Sequence, residues 1–258
     1  MIIATFNANS LRSRLEVVLP WLKANQPDIL AIQETKVQDA DFPLDAFDDS
    51  EYKIVYRGQK KYNGVAILSK ESMSEIVSHF PADDSDQARF LTAKIGPLTI
   101  LNTYVPQGMA VDSEKFEYKL NWFRWLREYM EEHYTPQDQL LWVGDLNVAR
   151  SNLDVHDPER LWGHVCFCEP VQKALVEVME WGWVDVFRHF YPEEPDHYTF
   201  WDYRAGNAFK NNRGWRIDYI MATKPLMKSC KRCWVDRAPR GWNKPSDHTF
   251  LLAEFDIG

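Results

Sequence analysis

The chain has 258 residues, 45% of them hydrophobic; at that length a domain buries roughly three quarters of its unfolded surface, so a full core is available. No apolar run is long enough to cross a membrane, and four cysteines in this size argue against a disulfide scaffold. The net charge of −8 speaks against a polyanionic partner, but Tyr198 to Pro245 holds eleven Lys or Arg against three Asp, a net of +8, leaving −16 elsewhere; a local field can steer an anion whatever the total.

Met1 leads directly into IIATF, with neither a basic start nor a cleavage site, which predicts a cytoplasmic protein. IIATF reads as a short strand. SLRSRLEVVLPWLKAN follows as a helix, with Ser10 as cap and Leu11, Leu15, Val18 and Leu22 at helical spacing. DILAIQET is a buried strand that runs into polar residues. EYKIVYRG and GVAILSK read as paired strands, and RFLTAKIG with PLTILNTYVPQG as a hairpin turning at Gly96-Pro97. SEKFEYKLNWFRWLREYMEEH is a long amphipathic helix opened by Ser113. QLLWVGDLNVA is another buried strand with a polar exit, VQKALVEVMEWGW a helix ending near Gly182, and RIDYIMAT and TFLLAEFDI are late strands. Hairpins mixed with helical crossovers, no repeat and no linker predict one α/β domain over 1–258: two packed sheets with helices outside.

Several of these apolar strands end alike. ATF stops at Asn7 and Asn9, ILAIQ at Glu34, TILNT at Tyr104 and LLWVG at Asp145 and Asn147; RID sets Asp218 in a strand, and SDH opens the last strand with Asp247 and His248. Neighbours in a regular strand face opposite ways, so Asp247 and His248 belong to the loop that feeds it. Each such group alone is an ordinary cap or turn residue. Together, at one sheet edge, they would line a cleft with oxygen ligands, the donor set of a hard divalent cation such as Mg²⁺. Glu34 is then the natural ligand, with Asn7 and Asn9 as neutral carbonyls and Asp247 as support. His248, held by Asp218, suits the nonbridging oxygens of a phosphodiester. Asp145 is placed to orient or deprotonate a water, Asn147 to share that water or hold the phosphate, and Tyr104 to offer a phenol.

TFNANSLRSRL, PDILAIQETK, YNGVAILSK, NTYVPQG, LLWVGDLNVA, YTFWDYR, GWRIDYIMAT and KPSDH, in this order, resemble the exonuclease III family of abasic-site endonucleases, within the endonuclease/exonuclease/phosphatase superfamily. The resemblance implies a DNase I-like, four-layer α/β sandwich and a monomer. It implies Mg²⁺ dependence, with Mn²⁺ as a substitute. The implied activities are cleavage of duplex DNA 5′ to abasic sites and trimming of 3′ ends. Carried over, Asn7, Glu34, Asp145, Asn147, Asp247 and His248 form the metal region. Tyr104, Asp145, Asn147, Asp218 and His248 carry the catalysis, and Asn9 and Gln107 lie at the DNA. Three departures stand out. Asn9 replaces an acid common in the family, which lowers the charge available to a second metal. Gln107 stands where some members have Asn, and HVCFCEPVQ replaces a Phe-x-Pro-x-Glu-Arg stretch that borders the DNA in relatives.

YTFWDYRAGNAFKNNRGWR interleaves six aromatics with four basic residues, a combination that stacks bases and binds phosphates. By resemblance Phe200 and Trp215 would wall the pocket for a flipped-out abasic sugar, with Trp201 nearby; Lys210 and Arg213 are the expected phosphate contacts. Cys166, Cys168, Cys230 and Cys233 read as half-buried thiols, with a zinc site or a redox pair as alternatives. Two other functions fit less of the chain. A phosphatase of the same superfamily, acting on a phosphorylated small molecule or lipid, leaves the basic aromatic stretch unexplained. A DNA-binding module without catalysis leaves the acidic strand exits unexplained.

Overall fold

A computed structural model describes residues 1–257. It contains two six-stranded mixed sheets. The first runs, edge to edge, Cys230–Asp236 (β11), Phe250–Phe255 (β12), Ile2–Asn7 (β1), Ile29–Gln33 (β2), Val65–Ser69 (β4) and Lys53–Arg57 (β3). The second runs Met73–Val77 (β5), Phe90–Ile95 (β6), Leu98–Tyr104 (β7), Leu140–Asp145 (β8), Asp218–Thr223 (β10) and Trp183–Asp185 (β9). The helices are Leu11–Asn25 (α1), Glu114–His133 (α2), the single turn Pro158–Leu161 (α3), Glu169–Met179 (α4), Val186–Phe190 (α5) and Lys224–Met227 (α6).

The layering follows from burial on both faces of each sheet. Central strands buried on both sides read as continuous apolar runs rather than alternating ones, and β2, β4 and β8 are buried at every position. Between the sheets, Ile3, Ile29 and Ile67 meet Leu91, Ile100, Val143 and Ile220. Outside the first sheet, Val18, Trp21 and Leu22 of α1 cover Phe6, Leu30 and Phe250. Outside the second, Phe116, Trp122 and Leu126 of α2, with Val171 and Leu175 of α4, cover Phe90, Leu101 and Trp142. The result is the expected four-layer sandwich. The two predicted hairpins form, β3 with β4 and β6 with β7. Ser113 caps α2 through its hydroxyl, which accepts from Phe116 N at 3.2 Å. Ser10 does not cap α1: its φ is 90° and its side chain makes no cap bond, the hydroxyl turning instead to Ser13.

Strand direction places the site. β1 and β2 are parallel, and so are β7 and β8, so Asn7, Glu34, Tyr104 and Asp145 leave the sheets at one end. β12 is antiparallel to β1 and β10 to β8, so these two strands begin at that same end. Asp218 is the first residue of β10 and lies opposite Asp145 in the ladder. The basic block does not act as one patch. β10 runs away from the site, so Lys224, Lys228, Lys231 and Arg232, which follow it, lie towards the far end of the sandwich, and Arg216 is fully buried.

Candidate active site

The cleft over these strand ends has a volume of about 510 Å³ and is lined by Glu34, Tyr104, Asp145, Asn147, Asp247 and His248 together with the apolar Phe200, Trp215 and Ile217. Its backbone is held in unusual conformations. Gly144, with φ of 133°, lets β8 pass so close to β7 that a Cβ would lie 2.0 Å from the Thr103 carbonyl; only glycine brings Asp145 to the exit at that angle. Glu34 and Asn147 adopt φ of 50° and 51°, a left-handed region uncommon for residues with a Cβ, and such strain gathers at functional sites.

Hydrogen bonds join the sequence-predicted residues into one network. His248 Nδ1 pairs with Asp218 Oδ2 at 2.8 Å, and its Nε2 points towards Asp145 Oδ2 at 3.8 Å. The Asn7 amide donates to Glu34 Oε1 at 2.8 Å and to Asp145 Oδ2 at 2.9 Å, bridging the two sheets. Asn147 N donates to Asp145 Oδ1 at 2.9 Å, and its side-chain amide donates to Val105 O and Asp145 Oδ2. Asn9 donates to Asp247 Oδ1 at 2.9 Å, so these two residues hold each other.

Burial and charge set the protonation states. Burial pulls the His248 imidazole down, but Asp218, with Asp145 and Asp247 behind it, overcomes this and raises it from 6.5 to about 10. Burial lifts the Asp145 carboxyl to about 7, with Asp218 and Glu34 pushing the same way against His248. Burial also lifts Glu34, yet the adjacent Lys36 ammonium, helped by Asn7, holds it below the ordinary carboxylate range. The Tyr104 phenol is driven well above its usual value, first by burial and then by Glu34, so it keeps its proton and can donate. The site thus offers a charged imidazolium, a neutral phenol and a carboxyl poised near neutrality, a set suited to transfer at a phosphate.

The oxygen donors also fit a hard divalent cation. Glu34 already attracts a positive charge, with Lys36 Nζ 2.8 Å from Oε2. Asp145, Asp218 and His248 present ligand atoms within 4.8 Å of one another, but His248 Nδ1 is committed to Asp218. Glu34, with Asp145 joined to it through Asn7, is the better oxygen site.

The sequence signature described as the Endonuclease/Exonuclease/phosphatase family matches residues 4–248. The chain belongs to that family. Exodeoxyribonuclease III of Haemophilus influenzae is 33% identical over 97% of this chain and 98% of its own. An AP endonuclease from Archaeoglobus fulgidus is 46% identical and superposes with a TM-score of 0.97, covering 100% of both chains. A 3′ phosphatase from Neisseria, solved bound to product DNA hairpin, is 33% identical with a TM-score of 0.93 and covers 100% of both.

Other members of the predicted set fall outside the acidic network. Gln107 lines the cleft and turns its amide oxygen to Met109 N. Phe200 and Trp215 are half-buried, pair with each other as an isolated bridge, and Phe200 stands 4.8 Å from the His248 ring. Trp201 corrects the expectation of DNA contact. It has no exposed surface and anchors the 202–213 lobe by stacking edge-on to Phe209 and bonding Asn212; successive residues of an extended segment point opposite ways, so Phe200 faces in and Trp201 away. Lys210 and Arg213 are exposed on that lobe and do not line the cleft. The four cysteines do not come together as a zinc site: Cys166 and Cys168 pack under α2 while Cys230 and Cys233 pack between the sheets, and all four are free thiols.

Lys36, Arg204 and His164 reach the site without having been singled out in the sequence, and Cys166, read there as a half-buried thiol, also lines the cleft. Lys36 carried a signal: it stands two residues after Glu34, on the same exit. Arg204 also carried one, as a basic residue inside YTFWDYR.

Proposed function

We propose that this chain is a metal-dependent DNA repair nuclease that hydrolyses phosphodiesters 5′ to abasic sites in duplex DNA and trims 3′ ends. The observation that carries the reading is the meeting of six strand ends, from both sheets, on one cleft: Glu34, Tyr104, Asp145, Asn147 and the Asp218–His248 pair face an aromatic wall of Phe200 and Trp215. Mg²⁺, with Mn²⁺ as a substitute, is the cation that the oxygen donors Glu34 and Asp145 would hold. When bound, it neutralises charge on the phosphate oxygens.

The chain's own groups supply the rest. His248 donates through Nε2 to a nonbridging oxygen, while Asp218 keeps the ring oriented and charged. Tyr104 donates its phenol proton in a hydrogen bond to a second oxygen. Asp145 accepts the proton of the attacking water, which the Asn147 amide aligns. Phe200 and Trp215 close over a sugar with no base, whose extrusion costs least. Lys210, Arg213 and Arg204 face flanking phosphates from the lobe, with Asn9 and Gln107 at the rim. Asn7 acts through its donated bonds, and Asp247 holds Asn9. The protein works as a monomer in the cytoplasm; among the described residues no helix is long and apolar enough to cross a membrane.

The test is a panel of duplex oligonucleotides, each with one abasic site, a 3′-phosphate, an undamaged 3′ end or one deoxyuridine. With Mg²⁺, incision 5′ to the abasic site is expected, abolished by EDTA and by Asp145→Asn while DNA binding survives. No incision with any divalent metal, together with hydrolysis of a small phosphomonoester that duplex DNA does not compete for, would establish the phosphatase instead.

A further inference from the structure

Helix α2 carries one residue that does not belong on its buried side. Phe116, Lys119, Phe123, Leu126 and Met130 follow one stripe, and Lys119 is as fully buried as its apolar neighbours. A buried ammonium without a carboxylate is costly, and among the described residues Lys119 forms no salt bridge. Its three donors are all used on backbone. Nζ donates to Gln107 O at 3.1 Å, Asn147 O at 2.7 Å and Val165 O at 3.0 Å, with Cys166 Sγ at 3.8 Å. An ammonium has three N–H groups and no acceptor, so the match is complete.

The three carbonyls belong to three separate segments that meet only at the cleft. Gln107 follows β7, Asn147 follows β8, and Val165 precedes Cys166 in the hairpin before α4. Gln107, Asn147 and Cys166 all line the cleft. Packing supports the same arrangement: a Cβ on Gly108 would lie 2.8 Å from Val165 Cγ2 and 3.1 Å from Lys119 Cδ, so the Gln107–Gly108 turn rests directly on the lysine stem. Asn147 sits at φ 51°, and its carbonyl has Lys119 as its donor.

We propose that Lys119 is a positioning residue of the active site: it fixes the left-handed turn at Asn147 and registers it against the Gln107 loop and the Val165–Cys166 hairpin. It touches neither substrate nor reacting atoms. It acts by keeping the Asn147 amide aligned with Asp145, to which that amide donates at 3.2 Å. Helix α2 thereby ties the floor of the cleft to the outer layer of the sandwich, a link the strand ends alone do not provide.

The inference rests on the nuclease reading, and a double-mutant cycle on abasic duplex separates the two. Lys119→Met keeps the length of the stem and removes the donors. Displacements of this kind at a catalytic group cost about 10- to 100-fold in rate; kcat should fall by that factor while KM changes less than threefold. In an Asn147→Ala background, Lys119→Met should cost less than threefold more, because residues acting as a unit are not additive. Should the methionine protein not fold, Lys119→Arg carries the same cycle: it keeps the charge but places its donors differently, so its loss should also vanish beside Asn147→Ala. Equal losses in both backgrounds, or a Lys119→Met enzyme within twofold of the parent, would overturn the role of Lys119 and leave the nuclease reading intact. A parent that does not cut would overturn both.

Discussion

Replacing Asp218 by Asn probes how the imidazole is charged. His248 titrates at about 10 against an ordinary 6.5, which corresponds to about 5 kcal/mol in favour of the cation at roughly 1.4 kcal/mol per decade. Three carboxylates share that effect, but Asp218 is the one at hydrogen-bond distance, 2.8 Å from Nδ1. About half, ~2–3 kcal/mol, therefore belongs to it, and Asp218→Asn should bring the imidazole down to about 8. Asn keeps an oxygen to accept from Nδ1, so ring orientation is disturbed less than charge. Losing a charged donor at the developing oxyanion costs about 10²-fold in rate; with the ring at about 8, half of it is still charged at pH 8, so single-turnover incision should fall only about twofold there, and by about 50-fold at pH 10, where about 1% is charged against about half in the parent. Two measurements check it: rapid-quench kinetics on an end-labelled abasic duplex, and ¹H–¹⁵N titration of the His248 ring in EDTA. A rate at pH 10 within threefold of the parent, or a ring that titrates as before, would refute the assignment of Asp218 as the source of the charge.

Glu34→Gln should raise the Mg²⁺ concentration for half-maximal incision by about 10- to 100-fold, with little change in DNA affinity in EDTA; an unchanged metal requirement would move the cation elsewhere. Tyr104→Phe should cost roughly tenfold or more in kcat, as the loss of one hydrogen bond to the phosphate, and the parent should show no activity change from phenol ionisation up to pH 10, since burial and Glu34 hold the proton on. Phe200→Ala and Trp215→Ala should lower incision at abasic sites more than removal of a 3′-phosphate, a ratio read from competing substrates in one tube. Asp154 is buried between Arg216 at 2.7 Å and Arg188 at 2.6 Å, and these partners hold its carboxyl below the ordinary range against the upward pull of burial. Its contribution is therefore complete above the unfolded value of about 3.9 and is lost as pH falls through the lower folded one. At pH 7, Asp154→Asn should destabilise by about 3–5 kcal/mol, a fall of about 10 °C in Tm; a shift under 3 °C by calorimetry would contradict it.

The legible part of the site was the part written in strands. An apolar run that stops at an acid, as in LAIQE or LLWVGD, marks a strand exit whatever the partners, and Gly144 before Asp145 signals the close passage of β7 and β8. Two classes of residue escaped. Lys36 and Arg204 were marked by position, two residues after Glu34 and inside YTFWDYR, but they act through where a flexible cationic arm reaches, which position alone does not settle. Lys119 hid inside a helix as one polar residue among many, although its place on the stripe from Phe116 to Met130 was visible. Trp201 shows the reverse error: composition grouped it with Phe200, while the alternation of an extended segment sends the two rings to opposite sides. The ion cluster of Asp154, Asp185, Arg188 and Arg216 joins positions up to 62 residues apart, and no local pattern announces it.

Crystals of the protein with Mn²⁺ and a cleaved abasic duplex give the most direct measurement. The anomalous signal should lie at Glu34, and the 5′-phosphate left on the abasic sugar should touch His248 Nε2, Tyr104 and Asn147 together, with that sugar against Phe200 and Trp215. Metal and phosphate bound apart from one another, or a phosphate that never meets His248, would contradict the convergence of the six strand ends on a single reacting group.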